Sequence, residues 1–166
     1  MIKGLERRTL ERHSDPRGAL QEVWRASRQP LDLRQLIVST SGRGVLRGMH
    51  VHFVQSDLLH VVSGRVFMAL LDLRAQPPVK EELWLGDAET LLIPPGVAHG
   101  YASPEAAVVL YLLDHESDGT DEHGFLWSDP DAAISWPVAS PILSERDRRA
   151  GPLGSAITLT RSSLRD

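Results

Sequence analysis

The sequence predicts an all-β fold, a sandwich or barrel of antiparallel strands, and three observations carry that expectation. Eight short runs rich in Val, Leu and Ile recur along the 166 residues, each bounded by Gly, Pro, Ser or Asp. No internal stretch carries the spacing of a long amphipathic helix. The runs at 58–63 and 65–73 meet at Ser63-Gly64, which reads as a tight hairpin because Gly can take the positive φ a primed turn requires.

In chain order the runs are 19–24, 33–40, 45–53, 58–63, 65–73, 82–85, 90–93 and 107–113. Each is short enough for a strand and rich in side chains that pack on a pleated surface. Segments 13–18, 74–80 and 114–123 read as loops from their Gly, Pro, Asp and Ser content. From Ser140 onward the chain is polar, with one helical turn expected at 144–148 where Ser144 can serve as N-cap, and with 155–166 expected to be loosely held.

A chain of 166 residues fits one domain, 1–166, large enough to enclose a pocket. The net charge of -4 without a basic block argues against nucleic acid as a partner. No apolar run approaches the roughly 18 residues that span a bilayer, and the polar start Met1-Ile2-Lys3-Gly4 lacks a signal-peptide core, so no membrane and a cytoplasmic location are expected. With no cysteine, thiolate chemistry is excluded and a metal would have to use His, Asp or Glu. The expected ligand is a small molecule.

Candidate chemistry gathers at Arg47-Gly48-Met49-His50-Val51-His52, at Pro94-Pro95-Gly96-Val97-Ala98-His99-Gly100 and at Asp147. On a strand, residues two apart share a face, so His50 and His52 are expected to converge on one ion with Cα atoms about 6.5–7 Å apart. The series Gly44, His50, His52, Asp57, Gly64 followed by Pro94, Gly96, His99 resembles the two metal motifs of the cupin superfamily, with Asp57 where glutamate is usual. This gives one reading: a metal-dependent cupin, an isomerase or oxygenase, holding one divalent metal ion through His50, His52, Asp57 and His99.

A second resemblance covers most of the chain. Asp15-x-Arg17-Gly18, Gly44-Val45-Leu46-Arg47-Gly48-Met49-His50, Gly64-x-Val66-Phe67, Asp72-Leu73-Arg74, Ile93-Pro94-Pro95-Gly96-x-Ala98-His99-Gly100, Leu126-Trp127-Ser128-Asp129-Pro130, Ile134-x-Trp136-Pro137 and Leu143-Ser144-x-x-Asp147 occur in order. Together they resemble the dTDP-4-dehydrorhamnose 3,5-epimerase family, a cupin jelly roll of two antiparallel sheets.

That resemblance implies a homodimeric isomerase without a cofactor, acting on a nucleotide-activated 4-keto-6-deoxy sugar at C3, C5 or both, in polysaccharide or secondary-metabolite biosynthesis. It makes His50 the base, Asp147 its orienting carboxylate and Tyr111 the acid that returns a proton from the opposite face. A histidine suits a base near neutral pH, and a carboxylate beside it fixes its tautomer. Arg47 and His99 would hold the ligand or the enolate oxygen. Arg17, Glu22 and Gln35 would contact the nucleotide, with Arg17 supplied by the N-terminal strands, 1–30, exchanged with a neighbouring subunit.

The chain also departs from the family pattern. Asp57 stands where the family has a lysine that assists the enolate oxygen, and His52 replaces a glutamine. Glu116 and Ser117 replace paired tyrosines, Ala19 and Leu20 replace aromatic residues, and Ile37 replaces an asparagine, so stacking on a thymine ring would be poorer. These losses leave room for a sugar-nucleotide binding protein without catalysis. A metal could stand in for the lysine, yet an imidazole nitrogen bound to metal has no lone pair left for a proton. The metal and base readings therefore compete at His50.

Each assignment has a plainer rival in the residues themselves. Tyr111 lies in an apolar run and reads equally as a core tyrosine, and Asp147 has Arg146, Arg148 and Arg149 beside it as surface partners. His13, His60, His115 and His123 are expected to be structural, and Trp84, Trp127 and Trp136 to be packing residues.

Overall fold

The computed structural model describes residues 1–29 and 31–164, and its architecture is two five-stranded antiparallel sheets plus a two-stranded ribbon. The strands are β1 (Glu6–Thr9), β2 (Arg12–Asp15), β3 (Gly18–Gln21), β4 (Gln35–Ser41), β5 (Val45–Val51), β6 (Asp57–Ser63), β7 (Arg65–Asp72), β8 (Val79–Gly86), β9 (Glu89–Ile93), β10 (Val97–Ser103), β11 (Ala107–Leu113) and β12 (His123–Gly124). One sheet runs β1-β9-β6-β11-β4 and the other β12-β5-β10-β7-β8, while β2 and β3 pair as the ribbon. The jelly roll is thus a sandwich of two separate sheets rather than one closed ring.

The core lies between the sheets because each supplies an apolar inner face. Leu59, Val61, Leu91 and Val109 from the first sheet meet Val66, Met68, Leu70, Leu85 and Tyr101 from the second, all essentially without solvent contact. Each such aliphatic side chain contributes on the order of 1.5–3 kcal/mol through removal from water. The second sheet is buried on its outer face as well, where Met49, Val51, Ala69, Leu71 and Ala98 pack under Phe125, Ala132, Leu153 and Ala156. Trp84, Trp127 and Trp136 pack around Leu46, Phe67 and Ala102, as expected of them.

The chain behaves differently from expectation at several places. Ser63-Gly64 is no hairpin: β6 pairs with β9 and β11, β7 pairs with β8 and β10, and the turn carries the chain from one sheet to the other. Gly64 sits at φ 83°, and a Cβ there would stand 2.4 Å from the Ala106 carbonyl oxygen, so its freedom serves a corner instead of a two-residue loop. The tail expected to be loose from residue 155 instead forms α2 (Leu153–Ser163), with Leu153, Ala156 and Thr160 buried on one helical face. Asp129 accepts a hydrogen bond from Leu153 N at 2.8 Å, satisfying an N-terminal donor that Pro152 cannot. Arg165 and Asp166 lie outside the described residues.

The expected helical turn is present as α1 (Glu145–Arg148), and Ser144 caps it by accepting from Asp147 N at 3.0 Å. Segment 13–18, expected as a loop, is the β2–β3 hairpin turning at Pro16-Arg17. The run 19–24 is strand only as far as Gln21.

Candidate active site

The cavity that matters opens between the two sheets and has a volume of about 250 Å³. Its wall on the second sheet comes from β5, which carries Arg47 and His50, and from β10, which carries His99 directly opposite His50 in the ladder. The first sheet contributes Asp57 at the start of β6 and Tyr111 on β11. Glu122 and Arg146 pair at the rim.

His50 and Asp147 are 97 residues apart in sequence, yet His50 Nε2 lies 2.7 Å from Asp147 Oδ1. A carboxylate only accepts, so Nε2 carries the hydrogen and the Nδ1 lone pair is left for another proton. Burial of Asp147 opposes its charge, but the hydrogen bonds from His50 and Ser144 outweigh that and hold its carboxyl below the usual range. Folding therefore favours the ionised form: the contribution to stability is complete above the ordinary carboxylate value and is lost as pH falls through the lowered one. Asp147→Asn should accordingly destabilise the protein near neutral pH, with the gap to wild type closing on acidification below about pH 4. Urea unfolding of both proteins across that range checks the sign, and a gap that widens on acidification contradicts it.

Tyr111 faces the cavity from the other sheet. Burial first, and then the neighbouring Tyr101 phenol, push its hydroxyl well above the normal tyrosine range, so Tyr111 keeps its proton at neutral pH. Tyr101 itself is tied to Ser41 Oγ at 2.9 Å. Arg47 hydrogen-bonds Ser41 Oγ and the Thr40 carbonyl and has no ion-pair partner among the described residues, so its charge stays available to the cavity.

At the cavity floor His52, Asp57 and His99 bring three ligand-type atoms within 4.8 Å of one another. Asp57 Oδ2 is 3.2 Å from His99 Nε2 and 3.8 Å from His52 Nε2, and Gln55 donates to Asp57 Oδ1 at 2.6 Å. Burial works against the charge on both members of the Asp57–His99 pair, but their mutual contact wins, lowering the carboxyl and raising the imidazole. Burial holds His52 below the normal histidine range.

The four-residue ligand set expected from sequence is not assembled, because His50 stands outside it. Its Nε2 is taken by Asp147, and β5 ends at Val51, so His52 lies just past the strand; both histidines line the cavity, but only His52 joins Asp57 and His99. Arg17 and Glu22 also stand apart from this chain's own cavity: Arg17 is paired with Asp15 on the β2–β3 ribbon, and Glu22 with Arg25 and Arg28. Gln35 reaches only its edge, accepting from Ser117 N at 2.7 Å. His60 is buried, its Nδ1 bonded to the Glu89 carbonyl.

Sequence reasoning missed Asp121. Its carboxylate accepts from the backbone N–H groups of Phe53, Val54 and Gln55, and its carbonyl fixes His52 Nδ1 at 2.7 Å. Nothing in the loop composition of 114–123 distinguishes this residue from its neighbours Asp118 and Glu122.

A two-sheet jelly roll whose cavity is lined by a carboxylate-paired histidine and a protonated phenol is the class of site that can move protons on and off a bound small molecule. The model of the dTDP-4-dehydrorhamnose 3,5-epimerase family matches residues 1–155, and the chain belongs to that family. Among its relatives, a dTDP-4-dehydrorhamnose 3-epimerase of Streptomyces niveus is 35% identical, the match covering 93% of this chain and 82% of the other. The spore coat polysaccharide biosynthesis protein SpsL of Bacillus subtilis is 32% identical over 82% of this chain and 97% of its own. In structure, a 4-keto-6-deoxy sugar epimerase from the novobiocin gene cluster of Streptomyces spheroides superposes with TM-score 0.87 at 34% identity, covering 96% of this chain and 88% of that one. The Legionella pneumophila epimerase in complex with dTDP-4-keto-L-rhamnose gives TM-score 0.85 at 27% identity, covering 98% and 93%.

Proposed function

We propose that this protein epimerises a nucleotide-activated 4-keto-6-deoxy sugar, dTDP-linked in the first instance, by removing and returning a proton on a carbon next to the C4 ketone. The observation that carries the reading is the His50–Asp147 pair on one sheet and its flanking helix, facing Tyr111 on the other sheet across a single cavity. Such a proton is acidic because its removal gives an enolate. His50 takes it through Nδ1, and the Asp147 carboxylate stabilises the imidazolium that results. Tyr111 donates from the facing sheet, and delivery from the opposite side inverts the centre. Base, orienting carboxylate and acid all come from side chains, so the proton shuttle uses no organic cofactor.

Arg47, the cavity's guanidinium without a carboxylate partner, serves the anionic part of the substrate, and His99 lies beside the ketone oxygen in this reading. Nucleotide contacts by Arg17, Glu22 and Gln35 fit a homodimer in which strands within 1–30 reach a neighbouring subunit's cavity. Its support is the distance of Arg17 and Glu22 from their own cavity, and the exposed Leu36 and Val38 on edge strand β4 with Leu20 on the ribbon. None of the described helices is long and apolar enough to cross a membrane, and we read the enzyme as cytoplasmic, feeding polysaccharide or secondary-metabolite biosynthesis.

Incubation with dTDP-4-keto-6-deoxyglucose in deuterium oxide, followed by NMR, tests the reading. Deuterium is expected at C3, at C5 or at both. A sugar that binds but takes up no label at either carbon, with dTDP or any other nucleotide, would identify a binding protein instead.

A further inference from the structure

We propose that His52, Asp57 and His99 form a three-ligand site for one divalent first-row transition-metal ion at the cavity floor, with His50 outside it and free to act as base. The argument begins with the far side of each ring. His52 Nδ1 is 2.7 Å from the Asp121 carbonyl oxygen, and His99 Nδ1 is 3.1 Å from the Val97 carbonyl oxygen. A carbonyl oxygen only accepts, so both Nδ1 atoms carry hydrogen and both Nε2 atoms are the ones offered inward.

Those two Nε2 atoms lie 3.8 and 3.2 Å from one Asp57 carboxylate oxygen, and each of the three buried residues offers a ligand atom within 4.8 Å of the others. Without a metal, a proton on His99 Nε2 can join that ring to Asp57, 3.2 Å away; a divalent cation replaces that proton and engages the His52 Nε2 as well. Two imidazoles and a carboxylate are the donor set that divalent first-row metals take.

The surroundings complete the site. A metal-binding histidine ordinarily donates its other N–H to a carbonyl or carboxylate, and a ligating carboxylate is itself hydrogen-bonded. Here both rings have that carbonyl partner, and Gln55 Nε2 holds the second Asp57 oxygen at 2.6 Å. Asp121 anchors the segment following β5 through three backbone N–H groups, which seats His52 at the floor. When bound, such an ion supplies Lewis acidity toward a carbonyl oxygen entering the cavity. The competition for His50 seen in the sequence is thereby removed, since base and ligands use different residues.

The proposal deepens the epimerase reading by adding an ion to the same cavity, but its test needs no turnover. Protein stripped with chelator is titrated with cobalt(II), and binding is followed by the visible absorption band of the coordinated ion and by elemental analysis. The expected result is one cobalt per chain. Gln55→Met, which removes only the bond to Asp57, should weaken binding by about 10–100-fold, and His52→Ala and Asp57→Asn by more. His50→Asn should bind as wild type does. No stoichiometric band in the wild type, equal affinity in wild type and His52→Ala, or loss of affinity in His50→Asn would each overturn the site. Cobalt binding without deuterium exchange would instead sink the epimerase reading and leave the site standing.

Discussion

His50→Asn is expected to reduce deuterium incorporation from solvent on the order of 10³-fold while leaving the melting temperature near that of wild type. Asparagine fills much of the same volume and can still meet the Asp147 carboxylate with an N–H, so the pair's geometry survives, but no lone pair of comparable basicity remains. His50 is half-buried at the cavity wall, outside the apolar cluster between the sheets, so little packing is lost with it. The assay follows exchange at C3 and C5 by NMR, with substrate binding measured separately. Exchange within tenfold of wild type would remove His50 from the reaction. Asp147→Asn provides the companion measurement: Asp147 is a positioning residue in this reading, so its loss should lower the rate with the binding of substrate little changed.

How much of this could be read beforehand follows from what each residue does. The runs at 45–53, 58–63, 65–73 and 107–113 became β5, β6, β7 and β11 because their Val and Leu content is the packing that makes them strands. Strand β10 escaped because Val97-Ala98-His99-Gly100-Tyr101-Ala102-Ser103 has one β-branched residue and is buried on both faces, so it shows no alternation. Edge strand β1, Glu6-Arg7-Arg8-Thr9, is polar and owes its conformation to pairing with β9. Helix α2 follows a proline and carries Gly154, Thr158 and Thr160, poor helix formers that only packing on Leu71 and Leu73 rewards.

The site divides in the same way. That His50 pairs with Asp147 is invisible to local pattern across 97 residues and was reachable only through the family resemblance. The nearness of His52, Asp57 and His99 was legible from their spacing, but the exclusion of His50 was not. It depends on where β5 ends and on which carboxylate claims the ring, both set by tertiary structure.

The other large effect belongs to Gly48, where fold and site meet. Gly48 lies at φ 127°, a conformation L side chains rarely adopt, and a Cβ built there would come 2.6 Å from the Gly100 Cα and 3.0 Å from the His99 carbonyl oxygen. Both are backbone atoms of β10, so nothing flexible can yield; the strands themselves must separate. The β5–β10 ladder already shifts register between His99 and Tyr101, which lets the two glycines pass closely while His50 and His99 remain partners. Gly48→Ala therefore combines backbone strain with a steric clash in a sheet buried on both faces. The expected cost is about 3 kcal/mol or more, a fall in melting temperature on the order of 10 °C. Activity should fall further than stability alone requires, because parting β5 from β10 moves His50 and Arg47 on the one strand relative to His99 on the other. Gly154→Ala in α2 is the contrast, since a Cβ there meets nothing within 4 Å and its φ is ordinary, so the helix should gain up to about 1 kcal/mol. Thermal unfolding of the two variants beside wild type decides the matter: a Gly48→Ala protein melting with the wild type would mean that the close approach of β5 and β10 does not hold the site in place.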